Sequence, residues 1–187
     1  MTVVLFLFFI IVVDVWALTS SRKIKINKYK INKNNVSLYD REYLQNLTGF
    51  EFEDFCASLF RSMGYKNVEK TPSVNDEGRD LILTTDDGET IFVECKRYSE
   101  DGNGGFSKIG REIIQKLTGS MVGFGVKKGI VITTGSIHQN AWDFICKVEK
   151  NSDLKLDCID MNEIQNILKR IGDVDYTPRI ASINKID

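Results

Sequence analysis

The sequence predicts an α/β fold with a mixed central sheet flanked by helices, together with an N-terminal hydrophobic helix. Segments with apolar residues at helical spacing alternate with short runs of branched and aromatic residues that are typical of buried strands. Helices separate the later strands but not the earlier ones, so the sheet needs both parallel and antiparallel pairing. At 187 residues, 42% of them apolar, the chain is long enough for one domain with a sizeable core.

The first eighteen residues, "MTVVLFLFFIIVVDVWAL", are apolar except for Thr2 and Asp14. As a helix this segment would be about 27 Å long, close to the thickness of a bilayer's hydrocarbon core. We therefore predict a transmembrane anchor at residues 1–18. A cleaved signal peptide is the alternative, which the lack of a positive region ahead of the apolar stretch disfavours.

The segment after the anchor, residues 19–46, is predicted to be a basic juxtamembrane linker. Residues 22–41 carry seven Lys/Arg and one Asp, whereas residues 42–187 carry eighteen Lys/Arg and twenty-four Asp/Glu. Basic residues beside a span stay in the cytoplasm and attract anionic headgroups. The sequence thus predicts a single-pass membrane protein with a cytoplasmic domain, although a solvated linker has the same composition. Because the folded part is acidic, nucleic acid would have to bind to local basic patches.

The folded domain is predicted at residues 47–172, with a C-terminal tail at residues 173–187. Thr48-x-x-Glu51 is a capping box, and the apolar residues after it recur at helical spacing until Gly64. Strands are predicted at residues 65–71, 81–84, 91–96, 129–134 and 154–159. Further helices are predicted at residues 107–121 and 139–149, and from Asp160 through Ile171.

Two carboxylates and a lysine are predicted to converge at one end of a hairpin. Asp86-Asp87-Gly88 fits a three-residue loop made of a type I turn and a left-handed glycine. This loop would place Asp80 opposite Glu94, with Cβ atoms roughly 4.5–5.5 Å apart, and Lys96 on the same face. A two-residue turn would instead place Asp80 opposite Cys95.

Two like charges at this distance favour a cation between them. Mg²⁺ binds to oxygen ligands from one or two carboxylates and keeps several waters, which suits a phosphate substrate. Lys96 could then hold or deprotonate an attacking water and offset charge on phosphoryl oxygens. The alternative is that Asp80 and Glu94 are solvated strand ends and that Lys96 forms an ion pair with one of them.

Four segments resemble the catalytic domain of the Mrr-like restriction endonucleases, a branch of the PD-(D/E)XK nuclease superfamily. They are "LTGFEFEDFCASLFRSMGY", "DEGRDLIL", "VECKRY" and "KGIVITTGSIHQNAWDF". The resemblance covers residues 47–171 and implies a restriction-endonuclease-like α-β-β-β-α-β core that cleaves DNA with Mg²⁺, or alternatively Mn²⁺. It makes Asp80 and Glu94 the metal-binding acids and Lys96 the catalytic lysine. Glu53, on the first helix, would assist the metal site, and we expect the carbonyl of Cys95 to supply a further ligand.

The chain departs from the family pattern before the second strand. Family members usually have Gly-Gly-x-Asp there, whereas this chain has Glu77-Gly78-Arg79-Asp80. The extra Cβ and charge of Glu77 would alter the loop beside the metal. We expect no separate winged-helix domain, and hence no sequence-specific recognition. Residues expected to contact DNA phosphates, with a solvated surface as the alternative, are Arg97, Lys108, Arg111 and Lys116.

These observations predict a membrane-anchored, Mg²⁺-dependent DNA endonuclease. Its expected partners are DNA and the membrane, with a homodimer left open and no nucleotide cofactor. The alternative is a catalytically inactive membrane-tethered module that binds nucleic acid or supports assembly. The four cysteines form no CxxC pair, and His138 is the single histidine, so we expect no structural zinc site.

Overall fold

The structure, a computed structural model, describes Ile31 and residues 38–72, 78–98 and 108–173. The predicted anchor at residues 1–18, most of the predicted linker and tail, and Glu77 lie outside these residues. Within the part of the chain that is described, no helix is both long enough and apolar enough to cross a membrane.

A five-stranded mixed sheet forms the centre of the domain. Its strands, in chain order, are β1 Asn67–Lys70, β2 Leu81–Thr84, β3 Thr90–Lys96, β5 Lys128–Thr133 and β7 Lys155–Ile159. Their order in the sheet is β1-β2-β3-β5-β7. Strand β2 pairs antiparallel with β1 and β3, whereas β5 pairs parallel with β3 and β7. The predicted mixed sheet is confirmed.

Helices cover both faces of this sheet. They are α1 Arg41–Asn46, α2 Gly49–Ser62, α3 Arg111–Phe124, α4 Gln139–Asn151 and α5 Met161–Asp173. Successive side chains of a strand point to opposite faces. Val93 accordingly packs in one core with residues of α2 and α5, while Phe92 packs in a second core with residues of α3 and α4.

The capping signals in the sequence mark real helix starts. The Thr48 amide donates to Oε2 of Glu51 at 2.9 Å, and the Glu51 amide donates to Oγ1 of Thr48 at 3.2 Å. This reciprocal pair satisfies two amides that the first turn of α2 leaves without helical partners. Oδ1 of Asp160 accepts from the Glu163 amide at 2.9 Å at the start of α5.

Helix α1 lies inside the segment that was predicted to be a linker. The Asp40 side chain caps it by accepting from the Tyr43 amide at 2.8 Å. Leu44 is fully buried, and Tyr39 is buried in the same core. Because α1 contributes apolar surface to the core, the folded domain begins before residue 47.

Helix α3 begins later than the predicted residue 107. Lys108 and Ile109 form a short strand, β4, which pairs parallel with β6, Ser136–Ile137. Ile109 is fully buried, so tertiary pairing overrides its match to the helical spacing. His138, interpreted from the sequence as a helix-start residue, caps α4 by accepting from the Asn140 amide at Nδ1 over 3.1 Å.

Candidate active site

The hairpin between β2 and β3 has the register that its turn predicts. Thr85 donates its amide to the Glu89 carbonyl at 2.9 Å, and Gly88 has a φ of 86°. Leu81 pairs with Val93 at the outer end of the hairpin, and Asp80 lies one residue beyond this pair. A positive φ is accessible to glycine without the steric cost that a Cβ adds. The two-residue turn that would have placed Asp80 opposite Cys95 is not formed.

Asp80 lies at the start of β2, only 9% exposed. Its Oδ2 accepts from the Cys95 amide at 2.6 Å, while its own amide donates to the Val93 carbonyl at 2.7 Å. The bond from the Cys95 amide holds the Asp80 carboxylate against the backbone of β3. Burial and the charge of Glu94 raise the pKa of Asp80 to about 6, against the opposing effects of the Cys95 amide and Lys96.

Glu94 is a fully buried carboxylate in the middle of the sheet. Its Oε1 lies 2.6 Å from Nζ of Lys96 and 3.5 Å from Nζ of Lys116. Its Oε2 is buried and has no hydrogen-bond partner among the described residues. A buried charged oxygen without a partner is costly, so Oε2 of Glu94 fits a cation ligand.

Lys96 shares the sheet face of Glu94 at the end of β3. Burial alone would lower the pKa of Lys96, but the hydrogen bond to Glu94 and the negative charges of Glu94 and Asp80 outweigh this effect and raise it. Lys96 is therefore an ammonium at neutral pH in this arrangement. A cation bound at Glu94 would oppose that shift, since it would offset the carboxylate charge.

Glu53 and Cys95 contribute to the same region in different ways. Oε2 of Glu53 lies 3.2 Å from Nζ of Lys70, which also contacts Oδ1 of Asp54 at 2.8 Å. Glu53 is close enough for its charge to add to the rise in the Asp80 pKa. The Cys95 amide binds Asp80 and its thiol is buried in the core. A metal-ligand role for Glu53 and for the Cys95 carbonyl stays a prediction.

The donor set fits a hard divalent cation that keeps some of its waters. Among the described residues, no group of three or more His, Cys, Asp or Glu side chains is arranged to hold a metal ion. Asp80 and Glu94 could supply only two side-chain carboxylates. This matches the preference of Mg²⁺ for one or two carboxylates, with water and carbonyl or phosphate oxygens completing the coordination shell.

A family model described as restriction endonuclease, of the Mrr catalytic-domain type, matches residues 44–168, more than half of the chain. The chain belongs to the Mrr-like restriction endonuclease family. The resemblance in the four sequence segments is thereby confirmed. A search of curated proteins and a search of solved structures found no match. Membership of this family supports a nuclease that hydrolyses phosphodiester bonds and takes DNA as its substrate.

Lys116 is the predicted DNA-contacting residue that the fold brings into this Mrr-like site. It lies on α3, and its Nζ approaches Glu94 while 44% of its side chain is exposed. Gly78, with a φ of 87°, leads into Asp80, and a Cβ built on it would lie 3.2 Å from the Lys116 carbonyl. The chain entering Asp80 therefore runs directly against α3 at Lys116.

The other three predicted basic residues have different surroundings. Nη1 of Arg97 donates to the Gln45 carbonyl of α1 at 3.4 Å. The guanidinium carbon of Arg111 lies 5.1 Å from the centroid of the Phe144 ring. Lys108 is exposed on β4. Arg97 and Arg111 thus stabilise contacts within the domain, and a role in DNA binding stays a prediction for all three.

The contact of Lys116 with Glu94 and the ion pair between Lys70 and Glu53 are not predicted from the sequence. Neither contact has a local signal, because each joins residues of separate elements. Thr133 and Thr134, which are fully buried at the end of β5, have no predicted role either. The feature of the sequence that could have indicated a role is the pair of adjacent threonines at the end of an otherwise apolar strand.

Proposed function

We propose that the chain is a divalent-metal-dependent DNA endonuclease that uses Mg²⁺, with Mn²⁺ as an alternative. The observation that carries this proposal is the state of Glu94. This carboxylate is fully buried and close enough to Asp80 for its charge to raise the Asp80 pKa. It contacts Lys96 through Oε1 and leaves Oε2 without a partner among the described residues.

Each residue of the site has a separate role in this proposal. Asp80 and Oε2 of Glu94 hold the metal, the Cys95 carbonyl adds a ligand, and Glu53 supports the site from α2. When bound, a divalent cation polarises a phosphoryl oxygen and lowers the pKa of a coordinated water. Lys96, held by Glu94, orients the attacking water and donates to the phosphoryl oxygens as negative charge develops.

Lys116 supplies a second positive charge on the same side of Glu94. Its contact with Oε1 of Glu94 is long, at 3.5 Å, and its side chain is partly exposed. We propose that Lys116 and Lys108 bind DNA phosphates, which positions the strand without reading its sequence. We expect Arg97 and Arg111 to contribute less to DNA binding, because their side chains already contact Gln45 and Phe144 within the domain.

A nicking assay with the full chain in mild detergent tests the catalytic proposal. Supercoiled plasmid should be nicked in Mg²⁺ and left intact in EDTA, and Lys96→Ala should abolish nicking while it retains DNA binding. Lys127→Ala is the matched control, since this lysine precedes β5, at the end opposite Lys96, and pairs with Asp153 at 3.0 Å. A wild-type chain that binds plasmid but never nicks it would favour the inactive binding module instead.

We also propose that residues 1–18 anchor the nuclease domain to the cytoplasmic side of a membrane. The support is the apolar composition of this segment and the basic run behind it. Fractionation of cells that express the full chain checks the anchor. The chain should stay with the membranes through a high-salt wash and leave them in detergent, whereas release by salt alone would contradict a transmembrane span.

A further inference from the structure

The backbone of Lys96 is held at the carboxyl end of β5 by two threonines. Thr133 and Thr134 are both fully buried, and Lys96 pairs with Thr133 in the parallel register of β3 and β5. The Lys96 carbonyl accepts from Oγ1 of Thr133 at 2.7 Å and from the Thr134 amide at 3.3 Å. The peptide that follows the catalytic lysine is thus fixed from two directions.

Thr134 extends this hold beyond the last residue of the strand. Its Oγ1 accepts from the Tyr98 amide at 2.7 Å and donates to the Tyr98 carbonyl at 2.8 Å. Regular pairing of β3 ends at Lys96. Beyond it, the Thr134 hydroxyl makes the two hydrogen bonds to the Tyr98 backbone that a neighbouring strand would otherwise make. The Gly135 amide donates to Oγ1 of Thr133 at 3.0 Å. The hydroxyls of Thr133 and Thr134 therefore each donate one hydrogen bond and accept another.

These contacts matter for the site because Lys96 is the last residue of its strand. Strand ends fray where backbone hydrogen bonds are lost, and a lysine side chain has many rotamers of its own. The direction of the Cα–Cβ bond of Lys96 is set by its two flanking peptides. Fixing them keeps Nζ within reach of Glu94, 2.6 Å from Oε1.

We propose that Thr133 and Thr134 are positioning residues for the catalytic lysine: their hydroxyls clamp the Lys96–Tyr98 backbone so that the ammonium meets the reacting phosphate. This inference rests on the proposed nuclease function. It predicts that the rate of cleavage depends on the hydroxyl groups of the two threonines, and not only on the packing of their side chains.

The test compares Thr134→Val with Thr134→Ser in the full chain. Valine preserves the shape of the side chain but removes both bonds to Tyr98, whereas serine keeps them. Thr118→Val is the matched control, because Oγ1 of Thr118 bonds to the Ile114 carbonyl of its own helix at 2.7 Å. Single-turnover plasmid cleavage, the Kd for DNA and the melting temperature are measured for each variant, with cleavage assayed well below every melting temperature.

Thr134→Val should slow cleavage by about tenfold to a hundredfold with the Kd for DNA unchanged within about twofold, because misplacing a reacting group costs rate rather than affinity. Thr134→Ser and Thr118→Val should cleave at the wild-type rate. Faster exchange of the Tyr98 amide in Thr134→Val, followed by NMR, checks the lost bond without any cleavage. If Thr134→Val does not fold, Thr133→Val and Thr133→Ser are read in the same way.

The inference is overturned if the valine variant cleaves as fast as wild type, or if the serine variant loses as much rate as the valine variant, which would assign the effect to packing. A wild-type chain that never cleaves DNA would overturn the proposed function and this inference together. That outcome differs from the other two because wild type itself is inactive.

Discussion

Replacing Asp80 by Asn should stabilise the protein at neutral pH although it removes a proposed metal ligand. The pKa of Asp80 is raised from 3.8 to about 6, first by burial and then by the charge of Glu94. The folded state therefore favours the protonated carboxyl more than the unfolded state does. Below pH 3.8 the group is protonated in both states and costs nothing. Above pH 6 it is ionised in both, and the folded state carries the whole penalty.

The size of this penalty follows from the two pKa values. The difference between 3.8 and about 6 corresponds to about 3 kcal/mol at neutral pH, of which about half remains at pH 5. Asparagine can still accept from the Cys95 amide, but its own amide hydrogens need partners, so the expected gain falls to roughly 1–3 kcal/mol.

Urea unfolding followed by circular dichroism measures the effect at about pH 5 and about pH 7.5. Asp80→Asn should be the more stable protein, by a margin that widens with pH. Asp153→Asn is the control, since Asp153 is an exposed carboxylate whose pKa is lowered by Lys127, and this variant should gain no stability at the higher pH. An Asp80→Asn protein that is less stable than wild type by the same amount at both values would refute the reasoning.

Three further predictions concern the surroundings of the site. Lys116→Met should reduce single-turnover cleavage by about tenfold, measured well below the melting temperature of the variant. Equal cleavage by Lys116→Met and Lys127→Met would show that Lys116 has no part in cleavage. Leu44→Ala should lower the free energy of unfolding by about 2–5 kcal/mol, because α1 is part of the core. An unchanged urea midpoint would indicate that residues 41–46 belong to the linker and not to the folded domain. Gly78→Ala should lower the free energy of unfolding by roughly 1–2 kcal/mol because Gly78 has a positive φ. Gly119→Ala, where a Cβ meets nothing within 4 Å, should raise it by up to about 1 kcal/mol. Urea titrations measure both variants, and an unchanged stability of Gly78→Ala would contradict the argument from its positive φ.

The parts of the site that the sequence predicts are those fixed by short-range geometry. A glycine three residues after Thr85 determines the turn, and the turn determines the register that pairs Leu81 with Val93. This register places Asp80 at the end of the hairpin next to β3, where it meets the Cys95 amide. The capping box at Thr48 is equally local. In each case the atoms concerned are separated by only a few residues or by one hairpin.

Features that depend on how separate elements pack could not be predicted. The contact of Lys116 with Glu94 depends on the position of α3 over the sheet, which no local pattern specifies. The short pairing of Ile109 with Ile137 likewise overrode a helical pattern through contacts distant in sequence. Helix α1 was missed because its few apolar residues stand in a basic segment, and only their burial shows that they belong to the core.

The most direct measurement is a Mn²⁺ titration followed by electron paramagnetic resonance on wild type, Asp80→Asn and Glu94→Gln, with Asp153→Asn as control. If the two carboxylates share a divalent cation, each of the first two variants should bind it at least about tenfold more weakly than wild type, and the control should bind it equally well. Wild-type affinity in both Asp80→Asn and Glu94→Gln would contradict the central claim.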